Sequence, residues 1–295
     1  MNIGRISAVT VASPDLSNTA ELYTQFLGYR MVDKGRITKE EAVNWNAKNI
    51  EGSNYIILQP ENSDDFSFRF IEQEIQNDYV PFKSPGWNAA ELIVKDVDAL
   101  AEKLLNSEFE IIGPPADLSF TDQIRAMQVI GPSKEILYLT QFKSKLQEFN
   151  SPEARCDVDQ TFIVVLAGKS VEQMQKFYCD NFNLKKASVM DSRIRAISRV
   201  FGKPENTKYK SAAIPIKDQS LIEIDELPEG SERRLGESGY LLPGISIVSF
   251  LYYQSETDNL DVYKCNLPNL KSKECTVVHG QNQEIIELIH QKPLC

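Results

Sequence analysis

The sequence predicts an α+β chain in which one strand–helix–strand pattern is laid down twice. Three observations point there. Period-2 apolar runs outnumber helical stretches along the 295 residues. The segment Ala20-Glu21-Leu22-Tyr23-Thr24-Gln25-Phe26-Leu27-Gly28-Tyr29-Arg30 returns, degraded, as Met174-Gln175-Lys176-Phe177-Tyr178-Cys179-Asp180-Asn181-Phe182-Asn183-Leu184-Lys185, about half the chain later. Each copy follows an apolar strand, Ile6 to Ala12 and Phe162 to Ala167. A repeat on this scale governs the fold assignment ahead of any local signal.

The elements follow in order. Ile6 to Ala12 alternates as a strand, and Asp15 or Ser17 offers an N-cap for a helix over Asn18 to Phe26, with Ala20, Tyr23, Phe26 and Leu27 on one face. Asn44 to Asn54 reads as a mobile loop able to close over a ligand. Tyr55 to Leu58 and Phe66 to Ile71 read as strands, and in the second Phe66, Phe68 and Phe70 alternate with Ser67, Arg69 and Ile71. Ala90 to Val94 is a strand. Val97 to Leu105 is a helix with Val97, Leu100, Ala101 and Leu104 on one stripe. Arg125 to Ile130 and Glu135 to Phe142 form a hairpin around Gly131-Pro132-Ser133-Lys134. After a polar stretch containing Pro152 the pattern restarts. Strands are expected within Ala187 to Val200, within Ala212 to Asp225 and over Ile245 to Tyr252. A closing hairpin is expected from Thr276 to His279 and Ile285 to His290. The expected division is a first domain over 1–146, a linker over 147–157 and a second domain over 158–295.

Composition narrows the function classes. The hydrophobic share is 42% and the charged share 25%, ordinary for a folded globular chain. A net charge of −10 repels phosphate backbones, so nucleic acid is not an expected partner. No apolar run approaches the ~20 residues of a membrane helix, and Met1 to Arg5 carries no leader pattern, so a cytoplasmic location without membrane contact is expected. The five cysteines show no CxxC spacing and read as free thiols.

Val11-Ala12-Ser13-Pro14-Asp15-Leu16 followed by Leu22-Tyr23-Thr24-Gln25-Phe26-Leu27-Gly28-Tyr29 resembles the opening of vicinal oxygen chelate proteins, the superfamily of glyoxalase I, extradiol dioxygenases and bleomycin-resistance proteins. Val94-Lys95-Asp96-Val97-Asp98-Ala99-Leu100 is similar to the second module's strand-to-helix junction, and Gly131 to Leu139 and Gly280 to Leu288 are similar to its closing hairpin. The resemblance implies four βαβββ modules paired into two glyoxalase-like domains. It also implies a metal in a cup between two modules, bound by residues of the first strands and by a glutamate of the last strand. Carried onto this chain, those positions fall on Ala8, about Ala89 and Tyr138 in the first half. In the second half they fall on Ile163, a position near Ser246, and Glu287. Only Glu287 matches. Of the two histidines, His290 falls on the face opposite Glu287, and His279 reads as a strand end. No metal-ligand set and no cofactor are therefore expected, with a divalent metal left open through Glu91 and Glu223.

The site expectations follow from this frame. Glu287, flanked by Ile285 and Ile289, is the expected acid or base, since an apolar cup raises a carboxyl pKa. Tyr138, aligned with it, would hold a ligand oxygen or fill the metal's space. Thr10, Arg69 and Arg195 are candidate substrate contacts, Arg195 sharing a strand face with Arg193 and Arg199; arginine forks suit carboxylates. Trp45 and Trp87 are candidate rim aromatics. The expected partner is a small molecule, with a homodimer as an option. The leading expectation is a metal-independent lyase or isomerase acting on a small oxygenated metabolite. The alternatives are a sequestering protein of the bleomycin-resistance type, and a dioxygenase or glyoxalase with atypical ligands.

Overall fold

At the head of three of the four modules a strand ends in a turn whose polar side chain caps a helix. Asp15 accepts from Asn18 N at 2.9 Å, Asp96 from Asp98 N and Ala99 N, and Ser170 from Gln173 N. In the computed structural model, which describes residues 2–75, 78–145, 152–253, 262–271 and 273–291, these caps start α1 (Leu16–Leu27), α3 (Val97–Leu104) and α4 (Val171–Phe182). The first helix ends at Gly28, whose φ of 71° suits a left-handed C-cap.

Four strands build each module. The first has β1 (Ile3–Ser13), β2 (Tyr29–Arg36), β3 (Asn54–Pro60) and β4 (Ser67–Glu72), with α2 (Lys39–Asn44) between β2 and β3. The second has β5 (Gly86–Val94), β6 (Glu110–Leu118), β7 (Thr121–Ile130) and β8 (Ile136–Phe142). In the third, β9 (Val158–Gly168) and β10 (Met190–Arg193) precede α5 (Arg195–Val200), β11 (Lys208–Pro215) and β12 (Leu221–Glu226). The fourth has β13 (Ile245–Tyr252), β14 (Tyr263–Lys264), β15 (Glu274–His279) and β16 (Ile285–His290). The strand expected across Ala187 to Val200 is short, and Arg195 to Val200 turn into α5 instead. The expected mobile loop over Asn44 to Asn54 is a packed segment with a 3-10 turn over Lys48–Ile50 and a buried Trp45.

The sheets do not follow the two halves of the chain. One runs β14-β15-β16-β13-β1-β4-β3-β2 and the other β10-β11-β12-β9-β5-β8-β7-β6. Module 1 is thus joined to module 4 through antiparallel β1 and β13, and module 2 to module 3 through β5 and β9. The division into 1–146 and 158–295 marks the sequence repeat, whereas each cup takes one module from each half. The connection from β8 to β9 stays within one sheet, so consecutive modules 2 and 3 pair and modules 1 and 4 are left for one another. Residues 147–151 of the expected linker lie outside the described residues, as does Cys295; the four described cysteines are free.

The outer, helix-bearing faces of both sheets share one core, which holds Phe68, Phe70, Tyr23, Phe250, Leu92, Leu139, Val164 and Ile224. Trp87 belongs there and not to a cup rim: its ring meets Tyr178 edge-on and its Nε1 donates to Ile285 O at 3.0 Å. Alternation from Glu91 through Ala89 would set Trp87 on the cup side; the irregular register between Trp87 and Ala89 turns the indole to the other sheet.

The repeated tyrosine ties the modules of each half together. Tyr23 OH donates to Glu135 Oε1 at 2.8 Å, and Ser133 N donates to Glu135 Oε2. In the second half Tyr178 faces Glu284, which accepts from Asn282 N at 2.7 Å. Burial pushes both carboxyls up to about 7. Each glutamate folds back over the glycine four residues earlier. A Cβ on Gly131 would stand 1.9 Å from Glu135 Oε1, and one on Gly280 2.0 Å from Glu284 Oε1. Gly-x-x-x-Glu in both closing hairpins was a readable signal for this feature.

Candidate functional site

Cup interiors are set by strand parity. Phe68 and Phe70 on β4, and Phe66 just before it, lie in the shared core, so Arg69 points into the cup of modules 1 and 4. The pairing registers set Thr10 beside Arg69, Ser249 beside Glu287, Glu91 beside Tyr138 and Val165 beside Glu223. Arg69, Tyr138, Glu223 and Glu287 therefore hold the same last-strand position in modules 1 to 4.

The first cup is closed by its own side chains. Glu287 Oε1 accepts from Tyr263 OH and from Trp45 Nε1 at 3.3 Å; Oε2 accepts from Arg69 Nη2 at 3.2 Å and from the Ser249 hydroxyl. Arg69 also donates through Nε to Thr10 Oγ1 at 3.0 Å and through Nη1 to Asn266 Oδ1 at 2.7 Å, and its guanidinium lies 4.5 Å from the Trp45 ring centre. Both ionic side chains are 1% exposed. Burial works against the Arg69 charge, but Glu287, Tyr263 and Glu41 together hold its pKa above the ordinary value. Ala42, Ala47, Ile50, Leu241 and Leu267 complete the filling.

The structure thus brings Thr10, Arg69, Trp45 and Glu287 together, but as a saturated ion pair. Glu287, the expected acid or base, has both oxygens engaged by these donors in a closed, buried ion pair. Tyr138 does not join it, because it belongs to the other sheet. Arg195 is the exposed first residue of α5, and Arg193 and Arg199 are exposed as well, so the shared arginine strand face does not form. Sequence parity had no way to register that a helix would interrupt the strand. His290 lies off the cup, with Nε2 3.1 Å from Thr276 Oγ1.

The second cup has a polar floor. Glu91, Tyr138 and Glu223 lie on its floor with part of their surface exposed, and Asp225 lies beside Glu223, buried. Phe82 stacks on Tyr138 at 6.2 Å between ring centres, and Ala89, Ile136, Val165 and Ile197 are apolar neighbours. Desolvation, with Glu223 nearby, pushes Glu91 up to about 7, against a 2.6 Å hydrogen bond from Thr140 Oγ1. Desolvation also raises Glu223 and, with the Glu223 charge added, drives Asp225 well above the carboxylate range. That shift keeps a proton in the Asp225–Glu223 hydrogen bond. The Tyr138 hydroxyl and Asp225 Oδ1 are buried atoms without a hydrogen-bond partner among the described residues. Asp225 was not singled out in the sequence; its signal is its parity with Glu223.

Neither cup fits the metal the fold resemblance implies. In the first, guanidinium, hydroxyl and indole donors occupy the glutamate oxygens, and Ala8, Arg69 and Ser249 stand at the other positions. In the second, no three acidic, histidine or cysteine groups among the described residues converge with metal-ligand geometry.

The architecture has solved counterparts. Glyoxalase I from Zea mays superposes with a TM-score of 0.62 at 15% identity, over 97% of this chain and 92% of that one. A putative dioxygenase from Bacillus subtilis superposes with a TM-score of 0.58 at 10% identity, over 98% of this chain and 85% of that one. The chain has the vicinal oxygen chelate fold. No family model and no curated protein matches the sequence, and at these identities the likeness to solved structures concerns the fold. Within the vicinal oxygen chelate fold, this chain sets an arginine against a glutamate in one cup and holds a cluster of raised carboxyls in the other. No helix among the described residues is long and apolar enough to cross a membrane.

Proposed function

We propose that the protein is a metal-independent catalyst of proton transfer on a small oxygenated organic molecule, a lyase or isomerase, and that the cup of modules 2 and 3 is its active site. The observation that carries this reading is the second cup's floor: Glu91, Glu223 and Asp225, all with raised pKa, set in an apolar-walled cup beside a Tyr138 hydroxyl that has no hydrogen-bond partner among the described residues. Carboxyls titrating near neutrality are matched to general acid–base work.

In the isomerisation, the Glu91 carboxylate takes a proton from the carbon next to a carbonyl. The Tyr138 O–H donates a hydrogen bond to the carbonyl oxygen, which gains charge as the enolate forms, and the protonated Asp225–Glu223 pair keeps a second acidic hydrogen close by. Where the substrate carries a β,γ-double bond the enolate is conjugated with it, and Glu91 returns the proton to the γ-carbon, so the double bond moves into conjugation with the re-formed carbonyl and no atom is gained or lost. In a lyase the same first step ends with departure of a β-substituent, protonated by the acidic pair. Stacked Phe82 and Tyr138 would cover a planar, unsaturated substrate.

A second reading is favoured by the charge in the same cup. Three carboxyls beside two aromatic rings suit an organic cation, and a protein that sequesters one would need no chemistry. Glu91→Gln separates the two. In the catalyst, turnover of a 2-oxo or β-hydroxy acid substrate falls by at least about 100-fold, the scale of general acid–base catalysis, with little change in KM. In the sequestering protein no turnover exists in either variant and cation affinity falls. Activity that disappears after dialysis against a chelator and returns with added metal would refute metal independence.

A further inference from the structure

A crevice of about 920 Å3 opens outside both cups, between the C-terminal end of α2, the N-terminal end of α4, the 233–242 segment and the closing turn at Gly280. Its inner wall is Trp45, Leu241 and Ile285, the residues that also seal the first cup. Trp45 therefore has one side on the crevice and its indole N–H on Glu287. The charge at its mouth runs against the rest of the molecule. In a chain of net charge −10, Lys169 and Arg233 both line it, exposed and without an ion-pair partner among the described residues, and Glu237 is the single acid in the lining.

His279 lines the same crevice, and its tautomer is fixed. Its Nε2 is 3.1 Å from Asn44 O. A carbonyl oxygen accepts only, so Nε2 carries the hydrogen and, in the neutral ring, Nδ1 is left as a lone-pair acceptor. The bond also pins the end of α2 one residue before Trp45. The 233–242 segment is held as firmly. Arg234 donates to Pro243 O, Ile245 O, Trp87 O at 2.8 Å and Ser84 Oγ, while Gln73 and Leu241 exchange hydrogen bonds. Arg233 is thus carried by an anchored backbone, and only its side chain has freedom to lose on binding.

We infer that this crevice is a second ligand site, separate from the cup proposed above, and that it takes a small organic anion. Arg233 and Lys169 bind the carboxylate or phosphate, the apolar wall at Leu241 and Ile285 receives the organic part, and His279 Nδ1 accepts a hydrogen bond from a ligand hydroxyl. Arginine supplies the paired N–H donors that an oxyanion accepts, and lysine supplies a point charge. Because the anchors are exposed, the affinity falls with ionic strength.

Titration of the whole protein with phenyl phosphate and, separately, with benzoate at low ionic strength tests this, using calorimetry together with the histidine ring resonances. The expected result is saturable one-to-one binding of at least one of them with Kd below about 1 mM. The His279 resonances should move, those of His290 should stay, and which anion binds distinguishes phosphate from carboxylate recognition. The double variant Lys169→Ala/Arg233→Ala, both sites being exposed, should keep the far-ultraviolet spectrum and Tm while binding at least about tenfold more weakly. Glu91→Gln should bind unchanged even if the cup proves to have no catalytic role. Absence of saturable binding by both anions, or equal binding by the double variant, would overturn the proposal.

Discussion

Removing either partner of the Arg69–Glu287 pair leaves the other as a buried, uncompensated charge. Glu287→Gln is therefore expected to destabilise the protein by about 3–5 kcal/mol, read from denaturant unfolding. Arg69→Met combined with Glu287→Leu should cost less than the sum of the singles, because attraction and desolvation leave together. If the singles prove silent, the pair is not what closes the first cup. Each of these two residues was visible in the sequence by parity, Arg69 against three phenylalanines and Glu287 between two isoleucines. Their meeting was not, since β4 and β16 are set against each other only by the pairing of β1 with β13. Parity predicts which way the Glu287 carboxylate points, while its surroundings depend on which donors arrive from elsewhere in the chain.

At the level of elements, the closing hairpins carry the clearest test. A methyl on Gly131 meets the Glu135 carboxylate at 1.9 Å, so Gly131→Ala must expel that side chain from its bonds with Tyr23 and Ser133. The expected loss is about 2–4 kcal/mol, several times that of Tyr23→Phe at about 1 kcal/mol. Glu135 and Glu284 also set a pH dependence. Their pKa lies near 7 in the fold against 4.5 as the ordinary value, so the folded state holds more protons between those limits. Stability from these groups is fully present below about pH 4.5 and is lost as pH rises through 7. Each contributes on the order of 3 kcal/mol across the window. Unfolding measured at pH 5 and 7.5 should show the decline, and Glu135→Gln should flatten it. The sequence offered the hairpins, their glycines and the repeated tyrosine, yet not the bond between them, because the helix and the hairpin it reaches belong to different sheets.

For the whole molecule, the cross-paired sheets predict that neither half is a folding unit by itself. Residues 1–146 alone would expose the edges of both β1 and β5, long apolar strands whose partners lie in the other half. The separate halves are expected to aggregate or self-associate, whereas co-expressed halves should co-purify one to one. Two monomeric, cooperatively folding halves would contradict this.

The sequence by itself determined the module pattern, most of its strands and helices, and the faces those present. Alternation, capping residues and glycine turns act over a few residues, and the repeat multiplies that local evidence across four modules. It thereby reached the fold. Only the tertiary structure decided which modules share a cup, that Trp87 lies in the shared core, that the Trp45 segment is a fixed cover, and that the raised carboxyls gather with Tyr138 rather than with Glu287. Those outcomes rest on strand pairing and desolvation between residues far apart in the chain. An edge strand's hydrogen bonds accept any partner of suitable register, so local pattern leaves the choice open. Here the choice is made by connecting β8 to β9 within one sheet and burying the helix-bearing faces of both sheets in a single core.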